Sequence, residues 1–197
     1  IEWNFLDDLN EVRSQRSAKK SCVPVDQHFN VKGVGLVAIG TVQSGSIKKH
    51  DNIIVTSGGY SGVIRSLQVM DVDVDIANSG DRVGVAIRNM KEGSLERGVL
   101  ISKSGDEDMF ETHNSSSLNF IRAPFQKRNI EIGMVIHAST DLQFVVGRVK
   151  DLDNDKIIIE WDSPIIIREN SDRRVVLSQL DSAPMRILGY AINMKKE

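Results

Sequence analysis

The chain has one cysteine, Cys22, in 197 residues. No disulfide can close within it, and a cysteine metal cluster is excluded. Cys22 itself reads as a small apolar residue opening a strand, and a reducing compartment fits. Aromatic residues are only 5% of the chain, so a base-stacking platform built from many rings is excluded. Basic excess is missing too: 25 Lys and Arg stand against 27 Asp and Glu, a formal net charge of −2. A protein that coats nucleic acid by bulk charge is normally basic, so any RNA contact here must come from a local patch. No apolar run approaches the roughly 18 residues of a membrane-spanning helix. No secretory signal is visible. The chain starts at Ile1 rather than Met, which reads as a fragment or a processed product.

Metal and catalytic constellations are equally sparse. His28, His50, His113 and His137 lie far apart with no His-x₃-His spacing, so zinc binding and histidine catalysis are not expected. Asp151, Asp153 and Asp155 imitate the start of an EF-hand loop. The sixth position is Lys156 instead of glycine and the twelfth is Asp162 instead of glutamate, so a hairpin turn is expected. Asp71, Asp73 and Asp75 alternate with Val72 and Val74, the period of a strand with a solvated face. The run Asp106-Glu107-Asp108 reads as a solvated connector rather than a metal site.

What is present is β-structure in two blocks. Residues 1–21 read as a helix followed by a polar linker, with apolar residues at Ile1, Phe5, Leu9 and Val12. A helix of this length is marginal alone and needs a packing partner. Residues 22–104 predict a first barrel, with strands at 23–31, 35–43, 52–56, 61–72, 82–89 and 98–102. Turn signals fall at Ser57-Gly58-Gly59, Asn78-Ser79-Gly80 and Glu92-Gly93. Short strands at this spacing favour a closed barrel, which removes sheet edges. Residues 105–113 read as a connector. Residues 114–197 predict a second β-domain, with strands at 116–122, 134–138, 143–150, 156–161, 164–168, 173–179 and 184–194.

The densest signal lies in residues 26–45. Asp26, Phe29, Val31, Lys32, Gly33, Gly35, Val37, Gly40, Thr41, Ser44 and Gly45 form the pattern D-x-x-F-x-V-K-G-x-G-x-V-x-x-G-T-x-x-S-G. This resembles the opening of domain II of the translational GTPases, and within them it is most similar to the selenocysteine-specific factor SelB and its archaeal counterparts. The resemblance continues through Gly62-Val63 to Val69, Ser79-Gly80-Asp81-Arg82-Val83-Gly84, Arg88-Asn89 and Leu95-Glu96-Arg97-Gly98. In the second block Gly133-Met134-Val135-Ile136-His137, Val146-Gly147-Arg148-Val149 and Arg186-Ile187-Leu188-Gly189-Tyr190 match the order of domain III elements, with Ser139-Thr140 replacing the family's Gly-Thr. No helix-rich segment after residue 20 matches the winged-helix tail of bacterial SelB.

The resemblance implies two tandem barrels of the domain II and III type after an N-terminal helix. It implies a part that binds aminoacyl-tRNA and delivers it to the cytoplasmic ribosome, a tRNA of ordinary or specialised kind, with no membrane and no DNA partner. Val31, Gly33 and Val37 would sandwich the terminal adenine, and Gln68 would meet the terminal ribose. Asp26, Gln27, Phe29, Met70 and Arg82 would line the aminoacyl side. Arg122, Lys127 and Arg128, around Ala123-Pro124-Phe125, would touch the tRNA backbone. Two departures stand out: elongation factor Tu has Glu at the place of Gln68, and Gln27 replaces an arginine of bacterial SelB. No G-x-x-x-x-G-K-[ST] and no N-K-x-D occurs. This chain is therefore not expected to bind or hydrolyse GTP, and GTP and Mg²⁺ would enter only through an upstream domain. Other readings are a stand-alone module of two barrels for a protein or ribosomal partner, or the tRNA-binding barrels of a factor like the gamma subunit of initiation factor two.

Overall fold

The computed structural model describes residues 11–16, 19–153, 156–168, 174–181 and 185–197. It is all-β, with one short helix near the N-terminus, and divides into two compact units, Ile1–Asp108 and Met109–Glu197. Of the helix expected over the first 17 residues, 11–16 are helical and the rest lies outside the described residues. Arg13 pairs from this helix with Asp81, and Gly45 N–H donates to the Arg16 carbonyl at 2.8 Å, so the helix is tied to the first barrel.

The first unit contains β1 (Val23–Val31), β2 (Gly35–Thr41), β3 (Ser46–Lys48), β4 (Asn52–Val55), β5 (Ser61–Val69), β6 (Val72–Val74), β7 (Ile76–Asn78), β8 (Arg82–Arg88) and β9 (Leu100–Lys103). Their sheet order is β4-β9-β1-β2-β8-β5-β6, and an added β4–β5 pairing closes six of the strands into a ring. β6 extends β5 outside that ring, and β3 with β7 makes a separate ribbon. Strand period two sends Val83, Val85 and Ile87 of β8 inward, to meet Ala38, Ile64, Leu67 and Ile101 in the core. Each fully buried aliphatic side chain contributes about 1.5–3 kcal/mol. The alternate residues of the same strands, Arg82, Gly84 and Ala86, are left on the outer face.

Several elements differ from the sequence expectation. β3 and β7 are only three residues each, too short for a periodic pattern to show. The expected run 61–72 is a hairpin, because Met70 and Asp71 both take positive φ (53° and 63°) between the paired Val69 and Val72. That is the two-residue turn that normally recruits Asn-Gly, so its signal is missing from the sequence. In the second unit the expected strands 156–161 and 164–168 are one strand. Pro164 sits where the β-ladder shifts register, which tolerates its missing N–H.

That second unit contains β10 (Phe110–Arg122), β11 (Val135–Thr140), β12 (Gln143–Asp153), β13 (Lys156–Arg168), β14 (Val175–Ser178) and β15 (Ile187–Lys196), closed as a barrel in the order β10-β13-β12-β11-β14-β15. β10 begins at Phe110, six residues before the expected 116, so residues 110–113 of the acidic run are strand. The rest of that run is paired rather than simply solvated. Asp106 accepts from Ser21 N–H and Oγ, both at 2.8 Å, and Asp108 pairs with Lys20. Asp153 and Lys156 face each other across a hairpin, as expected for that acidic segment, while 154 and 155 lie outside the described residues. Within the barrel, His113 and Ser116 are fully buried. Trp161 Nε1 donates to Ser116 Oγ at 2.8 Å; that oxygen lies 2.9 Å from His113 Nδ1, and His113 Nε2 lies 3.0 Å from Glu111 Oε2. Glu, His and Ser lie in a row here, but the serine is sealed in the core, where the network ties β10 to β13.

Candidate functional site

The outer face of β1, β2, β8 and β5 carries a cavity of about 580 Å³. Its construction follows from the ladder. Phe29, Val37, Ala86 and Ser66 lie side by side across four strands, as do Gln27, Ile39, Gly84 and Gln68 in the next row. Small residues on β8 and β5 keep the floor low. Phe29, Val31 and Val37 form one wall, and Gln68, Met70 and Asp71 the other. Val31 and Val37 are half-buried on this outer face, not in the barrel core. Met70 is 85% exposed at the rim, held there by the strained turn.

Gly33 (φ 81°) and Gly35 (φ 105°) make the tight β1–β2 turn, a conformation that L side chains rarely adopt. Arg65 clamps it: Nη1 donates to the carbonyls of Gly33 (2.9 Å) and Val34 (2.8 Å). Arg65 can reach the turn because β5 shifts register between Ile64 and Ser66, which re-aims the intervening side chain.

A second bulge builds the opposite end. β1 shifts register between Val25 and Gln27, leaving Asp26 as the extra residue. Its Oδ1 accepts from Arg97 Nη1 at 2.6 Å, and its Oδ2 lies 3.4 Å from both terminal nitrogens of Arg82. Two guanidinium groups on one carboxylate leave this end formally positive. Gln68 Nε2 donates to Asp73 Oδ1 at 2.9 Å, directly across the β5–β6 hairpin.

Of the nine residues singled out in the first unit, the structure brings Phe29, Val31, Val37, Gln68, Met70 and Arg82 into this cavity. Asp26 joins through Arg82, while Gln27 and Gly33 lie outside the lining. Ile39, Ser66, Gly84 and Ala86 were missed, although strand alternation from Val37 points directly to Ile39. Arg65 and Arg97 were missed as well; their reach depends on bulges, which have no short-range sequence signal.

The three cations of the second unit divide. Arg122 donates to the Arg128 carbonyl (3.0 Å) and to Asn129 Oδ1 (2.8 Å), so it shapes the loop after β10. Buried Gln126 anchors the same loop, donating to the carbonyls of Met185 and Ile187 and accepting from Arg128 N–H. Lys127 and Arg128 project from it, exposed, beside Phe125, which is 51% exposed. Among the described residues, no group of three or more His, Cys, Asp or Glu is placed to hold a metal ion. No helix among them is long and apolar enough to cross a membrane.

Residues 35–102 match the family model "Elongation factor Tu domain 2". Over 95% of its length the chain is 28% identical to the selenocysteine-specific elongation factor of Methanocaldococcus jannaschii, covering 43% of that protein. It is 29% identical over 85% of its length to an uncharacterized protein of the same organism, covering 52% of it. The chain thus spans about half the length of these curated relatives. Among solved structures, the apo form of SelB from Methanococcus maripaludis superposes with a TM-score of 0.80 over 97% of this chain and 46% of that one, at 21% identity. A bacterial selenocysteine-specific elongation factor gives 0.75 over 94% of this chain and 31% of that one, also at 21% identity. The pair of barrels is the fold that these structures share.

Proposed function

We propose that this chain, which is SelB- and elongation-factor-Tu-like through its domain II and III region, holds the aminoacylated 3′ end of a tRNA for delivery to the ribosome. The observation that supports this best is the outer-face cavity. Its volume suits a small ligand, and it offers apolar walls, the Gln68 amide, the Ser66 hydroxyl, the Asp71 carboxylate and the Arg82 guanidinium. A single-stranded 3′ end presents an unstacked base face for Val31 and Val37 and a 2′-hydroxyl for Gln68. Gly33 acts here through the turn that holds Val31 in place. The aminoacyl group extends toward Phe29, Met70 and Arg82, with Asp26 and Gln27 behind. Lys127 and Arg128 neutralise phosphates of the tRNA backbone, and Arg122 holds their loop. In this reading the chemistry is recognition. GTP hydrolysis with Mg²⁺ belongs to a domain outside this sequence, and the work is done in the cytoplasm. The test is a panel of aminoacyl-tRNAs bound to the protein and to its Arg82→Ala variant. The expected result is a changed order of preference among aminoacyl groups; an unchanged order removes Arg82 from the aminoacyl side.

A further inference from the structure

Met70 is the most exposed large apolar side chain among the described residues, at 85%. The local backbone puts it there. Val69 and Val72 pair across the β5–β6 hairpin, and the two residues between them, Met70 and Asp71, take φ of 53° and 63°. Such a turn normally uses Asn and Gly, so a methionine here is strained and buries almost nothing in return. Its side chain nevertheless lines the outer-face cavity, on the same wall as Gln68 and Asp71.

A thioether has no proton to lose, so its reaction with a peroxide follows the access of solvent to its sulfur. Cysteine is the usual first target of such an oxidant, but Cys22 is fully buried. Met90, Met109 and Met134 are half-buried, and Met185 of the second unit is 48% exposed. Met70 is thus the best placed of these sulfurs to meet a dissolved oxidant. In the step, Met70 Sδ attacks one oxygen of hydrogen peroxide. The O–O bond breaks and an S–O bond forms. The proton of the transferred oxygen passes to the departing hydroxide, which leaves as water. Sulfur is oxidised by two electrons and the peroxide is reduced. A flexible apolar group becomes a polar sulfoxide.

We propose that Met70 is an oxidation site, and that its conversion to the sulfoxide by a peroxide weakens the hold of the cavity on an aminoacylated 3′ end. The sulfoxide oxygen is a strong acceptor that water solvates at the rim. A ligand that covers the rim strips this water, which is costly where no donor replaces it. The inference rests on the 3′-end reading above and goes beyond it.

The experiment treats the full-length protein with hydrogen peroxide, free and saturated with the tightest-binding charged tRNA of the aminoacyl-tRNA panel. Peptide mass spectrometry follows oxygen gain at each methionine, and equilibrium binding follows affinity. Met70 is expected to oxidise faster than Met185, and bound charged tRNA is expected to slow it. The oxidised wild type is expected to bind roughly 5- to 10-fold more weakly than the untreated protein. Met70→Leu has no sulfur at the rim. Compared with its own untreated affinity, so that any direct effect of leucine cancels, it is expected to lose little under the same treatment. A Met70→Leu variant that loses as much as the wild type overturns the inference while tRNA binding itself stands. So does a Met70 that oxidises more slowly than Met185, or at the same rate with charged tRNA bound. Failure of the untreated wild type to bind any charged tRNA of the panel overturns both.

Discussion

Arg97 and Asp26, 71 positions apart in the chain, meet at 2.6 Å beside the cavity and hold the bulged residue of β1 in place. Arg82 approaches the other carboxylate oxygen, so the aminoacyl end of the proposed site is a three-residue charge cluster with one cation in excess. The arginine that bacterial SelB has at the place of Gln27 is missing here, and Arg97 supplies a second guanidinium from the loop before β9.

Substituting Arg97 by Ala is expected to leave stability nearly unchanged, because the side chain is 63% exposed and such pairs contribute about 0–1 kcal/mol. It removes the excess positive charge, so relative affinity is expected to shift a few-fold away from anionic and electron-rich aminoacyl groups. An aminoacyl-tRNA panel reads this out, and unchanged ratios would detach Arg97 from selectivity.

The Met70-Asp71 turn trades stability for position. Asp71→Gly relieves a left-handed residue, worth about 1–2 kcal/mol, against the roughly 0.5–1 kcal/mol of extra chain entropy that glycine loses, so the first barrel is expected to gain up to about 1 kcal/mol in urea unfolding. Met70→Asn relieves the turn in the same way but removes the exposed thioether from the cavity rim, so affinity for charged tRNA should fall as stability rises. Wild-type affinity in Met70→Asn would make Met70 a bystander.

In the second barrel, Arg168 and Asp141 form an almost fully buried ion pair, with Nε to Oδ2 at 2.9 Å. Asp141→Ala leaves a guanidinium in the interior without its carboxylate and is expected to cost about 3–5 kcal/mol. Chemical denaturation of the variant measures it; a loss below about 1 kcal/mol would show that water reaches Arg168.

Lys127 and Arg128, if they neutralise one phosphate each, set the salt dependence of tRNA binding. Each Ala substitution is expected to reduce the slope of log affinity against log salt by about 1. Arg122→Ala should act differently, loosening the loop that its side chain bridges, with faster amide exchange at residues 126–129. A slope unchanged by both outer substitutions would move the backbone contact elsewhere.

The parts legible in the sequence were those that repeat locally. β1 ends at Val23 and Val31 as the β-branched residues and the glycine turn dictate, and Gly33 and Gly35 take the positive φ that their position requires. The two-barrel architecture followed from strand spacing and from the family pattern. The hairpin at Met70-Asp71 was hidden because its turn lacks Asn or Gly. Strand β13 read as two because Pro164 interrupts the pattern, and the ladder absorbs it as an irregularity. In the cavity, Phe29, Val31 and Val37 stand in a motif, whereas Arg65 and Arg97 act on it through strand irregularities. Register belongs to the partner strand as much as to the residue itself, so single-strand patterns do not carry it.

The most direct measurement compares the affinity of the full-length protein for one tRNA in aminoacylated and deacylated form, alongside the Gly84→Val variant. Gly84 has ordinary φ and nothing within 3.9 Å of an added Cβ, so valine fits the strand and fills the cavity floor. The account predicts tighter binding of the aminoacylated form, and a loss of roughly tenfold or more in Gly84→Val, at a stability within about 0.5 kcal/mol of wild type. Equal affinity for the two forms, or a Gly84→Val variant that binds as well as wild type, would contradict it.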